Sequence, residues 1–298
     1  MKKGSKNRLG LGTAQFGMNY GISNRRGQNS LEEVKQILDE ARNQGIDMLD
    51  TSPNYGNSEE VLGKSLKADD YLNIITKTPV FDDETITQKS GNLLSEYCGR
   101  SLARLGYNKL YGLLVHHAEN LLAPGGEYLL KALIDLKSKG IVDKIGVSVY
   151  NSSQIDAILE IFKPDIIQLP INLFDQRLIN SGHLIKLKRL DVEIHARSVF
   201  LQGLLLMEGQ KLTDWFQPIE SNINKYFKYL RENNVSPLAA ALNFVKNIEQ
   251  VDYIIFGVNG VDHLKQNVQA FHSEVDIAYE RFAIPDENMI DPSLWKVS

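Results

Sequence analysis

The chain has 298 residues, with 33 Lys and Arg against 37 Asp and Glu, a formal charge of −4, and 43% hydrophobic residues. A disordered chain is excluded, because it needs low apolar content and high net charge together; the mild acidity also argues against nucleic acid as a partner. The one cysteine, Cys98, cannot form an internal disulfide, so a reducing, cytoplasmic setting is expected. The basic start Met1–Arg8 leads into Leu9-Gly10-Leu11-Gly12, too short and glycine-rich for a secretory apolar region. No apolar run is long enough to span a bilayer, so no membrane association is expected.

Strand-like and helix-like apolar periods then alternate along the chain. Leu9–Thr13 reads as a strand, and Ser30–Ala41 as a helix with a Ser30/Glu33 capping box and an apolar face of Val34, Ile37, Leu38 and Ala41. Gly45 closes that helix. Strand Ile46–Asp50 precedes helix Glu59–Leu66, and strand Leu72–Lys77 precedes helix Asn92–Leu105. Strand Lys109–His116 is followed by helix Tyr128–Ser138, and strand Lys144–Val149 by helix Ser153–Phe162. Strand Asp165–Leu169 leads to a helix over Gly182–Leu190, and strand Val192–Val199 to helices near Ile219–Glu232 and Pro237–Asn247. Strand Tyr253–Gly257 and helix Asp262–Phe271 complete the series. The longest irregular stretches are Met18–Asn29 and Met207–Glu220.

Eight strands, each followed by helix, imply parallel pairing through helical crossovers, and in a chain of this size a single (β/α)8 TIM barrel over 1–298. A doubly wound sheet is the alternative. It needs a third glycine after Gly10 and Gly12 opening a helix, whereas position 15 is Gln and the next helix starts much later. The two glycines therefore read as close packing at a barrel strand. Chemistry in such barrels gathers at the C-terminal strand ends. The polar residues there are Thr13, Asp50, Lys77, His116, Ser148, Gln168, Arg197 and Ser198, with Asn259 just beyond the last strand and Tyr55 in the loop after Asp50. Asp50 and Lys77, on neighbouring strands, can pair; Tyr55 can fold over the same mouth, where a nearby ammonium would lower its pKa and make it a general acid. A structural Asp–Lys pair and an ordinary loop tyrosine are the competing readings. His116-His117 is not a metal site, because side chains alternate across a strand; no metal is expected.

Several of these segments resemble the aldo-keto reductase family. Asp50-Thr51-Ser52-Pro53-Asn54-Tyr55-Gly56 with Glu59-Glu60-Val61-Leu62-Gly63 is similar to that family's second βα unit. Ile75-Thr76-Lys77, Tyr111 to His116, Ile145-Gly146-Val147-Ser148, Ile167-Gln168 and Phe256-Gly257-Val258 resemble its third, fourth, fifth, sixth and eighth strands. The resemblance runs from about Leu9 to Phe271. It implies a catalytic tetrad of Asp50, Tyr55, Lys77 and His116, and hydride transfer from a nicotinamide to a small-molecule carbonyl substrate, with Tyr55 donating the proton. It also implies a cofactor site that includes Thr13, Asp50, Ser148, Gln168, Arg197, Ser198, Gly257, Asn259, His263, Gln266 and Asn267, of which Ser148 and Gln168 hold the carboxamide.

Several positions depart from the family pattern, among them Gly257-Val258, where a Lys or Ser is common, and Gln266, where Glu is usual. Val149 stands where Asn is usual, Arg197 where an aromatic residue stacks on the nicotinamide, and His263 where an Arg clamps the 2′-phosphate. Arg197 could stack, form a salt bridge or take a substrate anion. NADP(H) is the expected cofactor, with NAD(H) possible. The departures also leave open a nicotinamide-binding regulatory subunit with little turnover; a sugar isomerase without nicotinamide leaves Ser148, Gln168 and Gln266-Asn267 unexplained. Phe16, Met18, Tyr20, Asn54, His117 and Phe200 are candidate pocket lining. The physiological substrate and oligomeric state are not legible.

Overall fold

The computed structural model describes residues 7–67, 70 and 72–296. Eight strands close into a parallel barrel in chain order: β1 (Leu9–Gly12), β2 (Met48–Asp50), β3 (Asn73–Lys77), β4 (Leu110–Val115), β5 (Val142–Ser148), β6 (Ile166–Pro170), β7 (Glu193–Arg197) and β8 (Tyr253–Gly257). Closure is made by β1 against β8, with Leu9 opposite Ile254 and Gly12 opposite Gly257. Helices cover the outside, as strand–helix alternation requires.

The helix Leu31–Asn43 shows why the outer ring forms. Ser30 Oγ accepts from Glu33 N and the Glu33 carboxylate accepts from Ser30 N, satisfying two amides at the helix start. Its face of Val34, Ile37, Leu38 and Ala41 is buried against the barrel, and full burial of such an aliphatic side chain stabilises by about 2 kcal/mol. Inside the barrel, Met48, Ile75, Leu114, Ile166, Tyr253 and Ile255 form a separate apolar cluster. Gly10 makes room for it: a Cβ there would lie 2.4 Å from Ile255 Cδ1 and 3.0 Å from Met48 Cγ.

Toward the N-terminal ends of the strands the interior turns polar. His195 is fully buried with Nε2 2.7 Å from Glu193 Oε1, and the Tyr111 hydroxyl and Lys144 ammonium both donate to the same carboxylate. Burial pushes the Glu193 carboxyl up, but the hydrogen bonds from His195 and Lys144 outweigh it and hold the pKa at about 2. His195 and Arg197 thus face one interior at different depths, and His195 is engaged below.

Several element bounds differ from the pattern-based ones. The helix expected from Asn92 begins at Gln88, because Ser90 Oγ accepts from Thr87 N and starts it a turn earlier. The strand expected to run to Val199 stops at Arg197, because Ser198 adopts a left-handed φ of 58°. Met207–Glu220 is not wholly irregular: Asp214–Ile219 forms 3₁₀ turns. The helices Ala14–Gly17, Glu119–Leu122 and Arg177–Asn180 are too short to show a period.

Candidate functional site

A cavity of about 700 Å³ opens at the C-terminal ends of the strands, within the range of small-molecule and cofactor sites. The expected catalytic and cofactor residues all line it: Thr13, Asp50, Tyr55, Lys77, His116, Ser148, Gln168, Arg197, Ser198, Gly257, Asn259, His263, Gln266 and Asn267.

Asp50 ends β2 and Lys77 ends β3. The Lys77 ammonium donates to Asp50 Oδ1 and Oδ2, both at 2.8 Å, and to Thr51 O at 3.0 Å. All three of its donors are therefore used. Both side chains are buried, at 1% and 6% exposure. Burial lowers the Lys77 pKa, against the pull of the Asp50 charge. Gln168, on β6, reaches across the barrel and donates from Nε2 to Asp50 Oδ1 at 2.8 Å.

Tyr55 is placed by a glycine-to-glycine contact. A Cβ on Gly17 would lie 1.8 Å from Tyr55 O, and one on Gly56, whose φ is 57°, would lie 2.2 Å from Gly17 O. Only glycine at both sites lets the loop after β2 lie down on the segment after β1. The loop then continues into the helix Ser58–Ser65, whose Ser58 N donates to Tyr55 O. The Tyr55 ring sits under the Lys77 ammonium, 5.1 Å from centroid to Nζ.

Lys77 was expected to lower the Tyr55 pKa; instead burial, followed by the Asp50 charge, carries it well above the ordinary phenol value. The ammonium is neutralised by its bonds to Asp50, so at the phenol its charge is offset and desolvation decides. Tyr55 is thus a protonated hydroxyl at neutral pH, the state a general acid needs.

His116 lies just past β4, edge-on to Tyr55 with ring centroids 6.1 Å apart. Its Nδ1 is 3.3 Å from both Asn54 Nδ2 and Ser52 Oγ. An amide nitrogen only donates, so Nδ1 is the acceptor and the ring proton sits on Nε2. Burial first, then the charge of Lys77, then His117 and Arg197, push its pKa down to about 2. His116 is therefore a neutral Nε2–H donor. His117 is exposed and packs edge-on to it without lining the cavity. Among the described residues no group of three or more His, Cys, Asp or Glu is arranged to hold a metal ion.

Two buried acceptors in the cavity wall have no partner among the described residues: Gln168 Oε1 and Asn259 Oδ1. Unsatisfied buried polar atoms are costly, and a ligand with amide or hydroxyl donors would satisfy them. The residues present therefore fit a nicotinamide dinucleotide, whose carboxamide carries such donors. Arg197 does not stand free to stack on that ring as an aromatic would. Its guanidinium lies 4.3 Å over the Tyr150 ring and donates to Val149 O and Ser198 Oγ, both at 3.2 Å. Tyr150, two residues past β5, is a lining residue that strand-end counting missed, as are Gln15 and Ser236 to Leu238. Tyr20 and Phe200 line the cavity as expected; Phe16 is core at 0% exposure, and Met18, Asn54 and His117 are not among the lining residues. Lys265 faces outward, 3.8 Å from Glu40.

A parallel barrel thus carries a buried Asp–Lys pair, a tyrosine and a neutral histidine around one cavity at the C-terminal ends of its strands. The chain belongs to the aldo/keto reductase family, whose model matches residues 8–282. It is 30% identical over 182 residues to the aldo-keto reductase YhdN of Bacillus subtilis, a match spanning 58% of this chain and 53% of that protein. It is 25% identical to the NADH-specific methylglyoxal reductase of Escherichia coli, across 89% of this chain and 90% of that one. Among solved structures, the holo form of an aldo-keto reductase from Bacillus halodurans superposes with a TM-score of 0.71 at 19% identity, covering 97% and 94% of the two chains. The glycerol dehydrogenase of Gluconobacter oxydans does so at 0.69 and 20% identity, covering 92% and 88%. At such identities these likenesses concern the fold. The protein is accordingly an oxidoreductase of carbonyl compounds that uses NADP(H) or NAD(H).

Proposed function

We propose that Asp50, Tyr55, Lys77 and His116 carry the reduction of a small aldehyde or ketone to an alcohol, with Tyr55 as general acid. The observation behind this is their convergence: four side chains from β2, its following loop, β3 and the residue after β4 meet on one cavity wall, with Tyr55 protonated and His116 neutral. Bound NAD(P)H supplies the hydride. The Tyr55 hydroxyl donates the proton to the carbonyl oxygen. The neutral His116 orients that oxygen through its Nε2–H. Lys77, fixed by Asp50, stabilises the phenolate left behind.

Ser148 and Gln168 hold the carboxamide in this reading. Support comes from the register that sets them side by side on β5 and β6, and from the unpartnered Gln168 Oε1. Thr13, Ser198, Gly257, Asn259, His263, Gln266 and Asn267 line the rest of the dinucleotide's path. The lining cations are Lys77 and Arg197, so no lysine or arginine in the cavity wall stands beside His263 and Gln266. Arg26 reaches that side, donating to Asn259 O, and is paired with Glu33. NADH is therefore expected to bind with an affinity close to that of NADPH. A small aldehyde as substrate is in keeping with the methylglyoxal reductase among the relatives. A cytoplasmic location is in keeping with the lone buried Cys98 and with the lack, among the described residues, of a helix long and apolar enough to cross a membrane.

The test is Tyr55→Phe. General acid catalysis contributes roughly 10²–10⁴-fold, so turnover should fall by at least that lower figure while NADPH still quenches protein fluorescence on binding. Full turnover in this variant would remove Tyr55 from the mechanism.

A further inference from the structure

We propose that Arg197 docks an anionic group of the substrate, so that the carbonyl compound this barrel takes carries a carboxylate or a phosphate a few atoms from its reacting carbon. This deepens the reading above and rests on it. Three charged side chains line the cavity: Asp50, Lys77 and Arg197. Asp50 and Lys77 cancel each other at 2.8 Å. His116 and Tyr55 are neutral. The net charge of the catalytic end is therefore the single positive charge of Arg197.

Among the described residues that charge has no counter-ion within ion-pair distance. Arg42, Arg104 and Arg177 are each similarly half-buried, and each is paired with an aspartate or glutamate at 2.8 Å or less. Among the described residues Arg197 has no such partner. Its hydrogen bonds go to a backbone carbonyl and a hydroxyl, which use two of its five donors. The cation–π contact with Tyr150, 4.3 Å from Cζ to the ring centroid, holds the guanidinium in place. Ser198, which accepts one of those bonds, is itself kept in a left-handed conformation, a strain that persists only where the surroundings over-determine it. A pre-set, unpaired guanidinium fork is the group that recognises carboxylates and phosphates.

Its place in the barrel assigns it to the substrate. Arg197 pairs with Pro170, two residues beyond Gln168 on β6, so its backbone lies about 7 Å nearer the mouth than the Gln168 layer. Its charge nonetheless reaches Tyr55, Lys77 and His116. An anion held there stands above the reacting oxygen.

The test uses matched pairs: succinic semialdehyde against butanal, and glyceraldehyde 3-phosphate against glyceraldehyde. The ratio of kcat/KM, anionic over neutral, should exceed one in the wild type for at least one pair, and the responding pair tells carboxylate from phosphate. A charge-assisted hydrogen bond is worth on the order of 10- to 100-fold, so Arg197→Gln should collapse the ratio by about that factor, and Arg197→Lys should retain part of it. Calorimetric binding of the dead-end anions succinate and glycerol 3-phosphate, with glycerol as control, gives a readout that does not need turnover. If the anions bind the wild type and not Arg197→Gln, the proposal stands even where no carbonyl is reduced, and the catalytic reading alone fails. If the ratio is unchanged while NADH and NADPH bind more weakly, the guanidinium serves the dinucleotide phosphates and the proposal is overturned. It is equally overturned if the wild type prefers neither anion over its neutral counterpart.

Discussion

Replacing Lys77 by Met separates the buried pair from its surroundings and tests how much the barrel mouth depends on it. The substitution keeps the side-chain volume and removes three hydrogen bonds, two to Asp50 and one to Thr51 O. Asp50, 6% exposed, is left with one donor, Gln168 Nε2. Breaking a buried ion pair from one side costs about 3–5 kcal/mol, because the remaining charge is stranded. At about 2–3 °C per kcal/mol for a chain of this size, Tm should fall by roughly 6–15 °C. The double variant Asp50→Asn with Lys77→Met removes both charges and still offers Gln168 an oxygen acceptor. Replacing such a pair by neutral groups is often close to neutral, so the double variant should recover most of the loss. Thermal melting followed by circular dichroism at pH 7, for the wild type, both single variants and the double, gives the coupling energy directly. A coupling of about 3 kcal/mol or more is expected. A value below about 1 kcal/mol, the range of exposed pairs, would refute the claim that the pair is desolvated. The proposed mechanism expects activity to be lost in all three variants, so stability is the quantity that discriminates.

Two further perturbations test the electrostatics. Nitrogen-detected NMR of His116 should show a neutral Nε2–H ring throughout pH 5–8, since burial and Lys77 hold its pKa at about 2. A lowered histidine pKa also means that its contribution to stability is present above the ordinary value of about 6.5 and is lost as pH falls; a His116 titration near pH 6.5 would contradict the placement. At the other end of the barrel, the Glu193 pKa of about 2 against an ordinary value of about 4.3 corresponds to roughly 3 kcal/mol. Because the folded value is depressed, that contribution is present above about pH 4.3 and disappears as pH falls toward 2. Glu193→Gln should therefore unfold at lower denaturant at pH 7 and lose about half of its deficit near pH 3; an equal deficit at both pH values would mean that packing, not charge, is at stake.

The alternation of apolar periods was enough to read eight βα units, because a parallel strand and its amphipathic crossover each bury one face and print that face as a period. The helix at Leu31–Asn43 is legible to its cap, since the capping box is local chemistry. The strand-end residues Asp50, Lys77, His116, Ser148 and Gln168 were legible for the same reason: once the barrel is recognised, position along a strand dictates which side chains reach the mouth. Tyr55 was nominated by its position after Asp50, but only the resemblance favoured it over an ordinary loop tyrosine, because nothing in the period of a loop says where its side chain goes; the Gly17–Gly56 contact that places it joins residues 39 apart. Tyr150 and Gln15 were missed because they lie beyond the strand ends, where register no longer predicts direction.

What the sequence by itself determined is the barrel, its order of strands and the identity of the groups at its mouth, all of which follow from local periodicity and position. Protonation states and pairings were decided only by tertiary structure. The expected fall in the Tyr55 pKa reversed because Lys77 spends all its donors on Asp50 and Thr51, leaving desolvation to govern the phenol. Arg197, ambiguous as a letter, became an unpaired cation over the Tyr150 ring only when β5 and β7 were brought together. Charge and solvent act over distances in space, and a chain of letters carries only distance along the backbone.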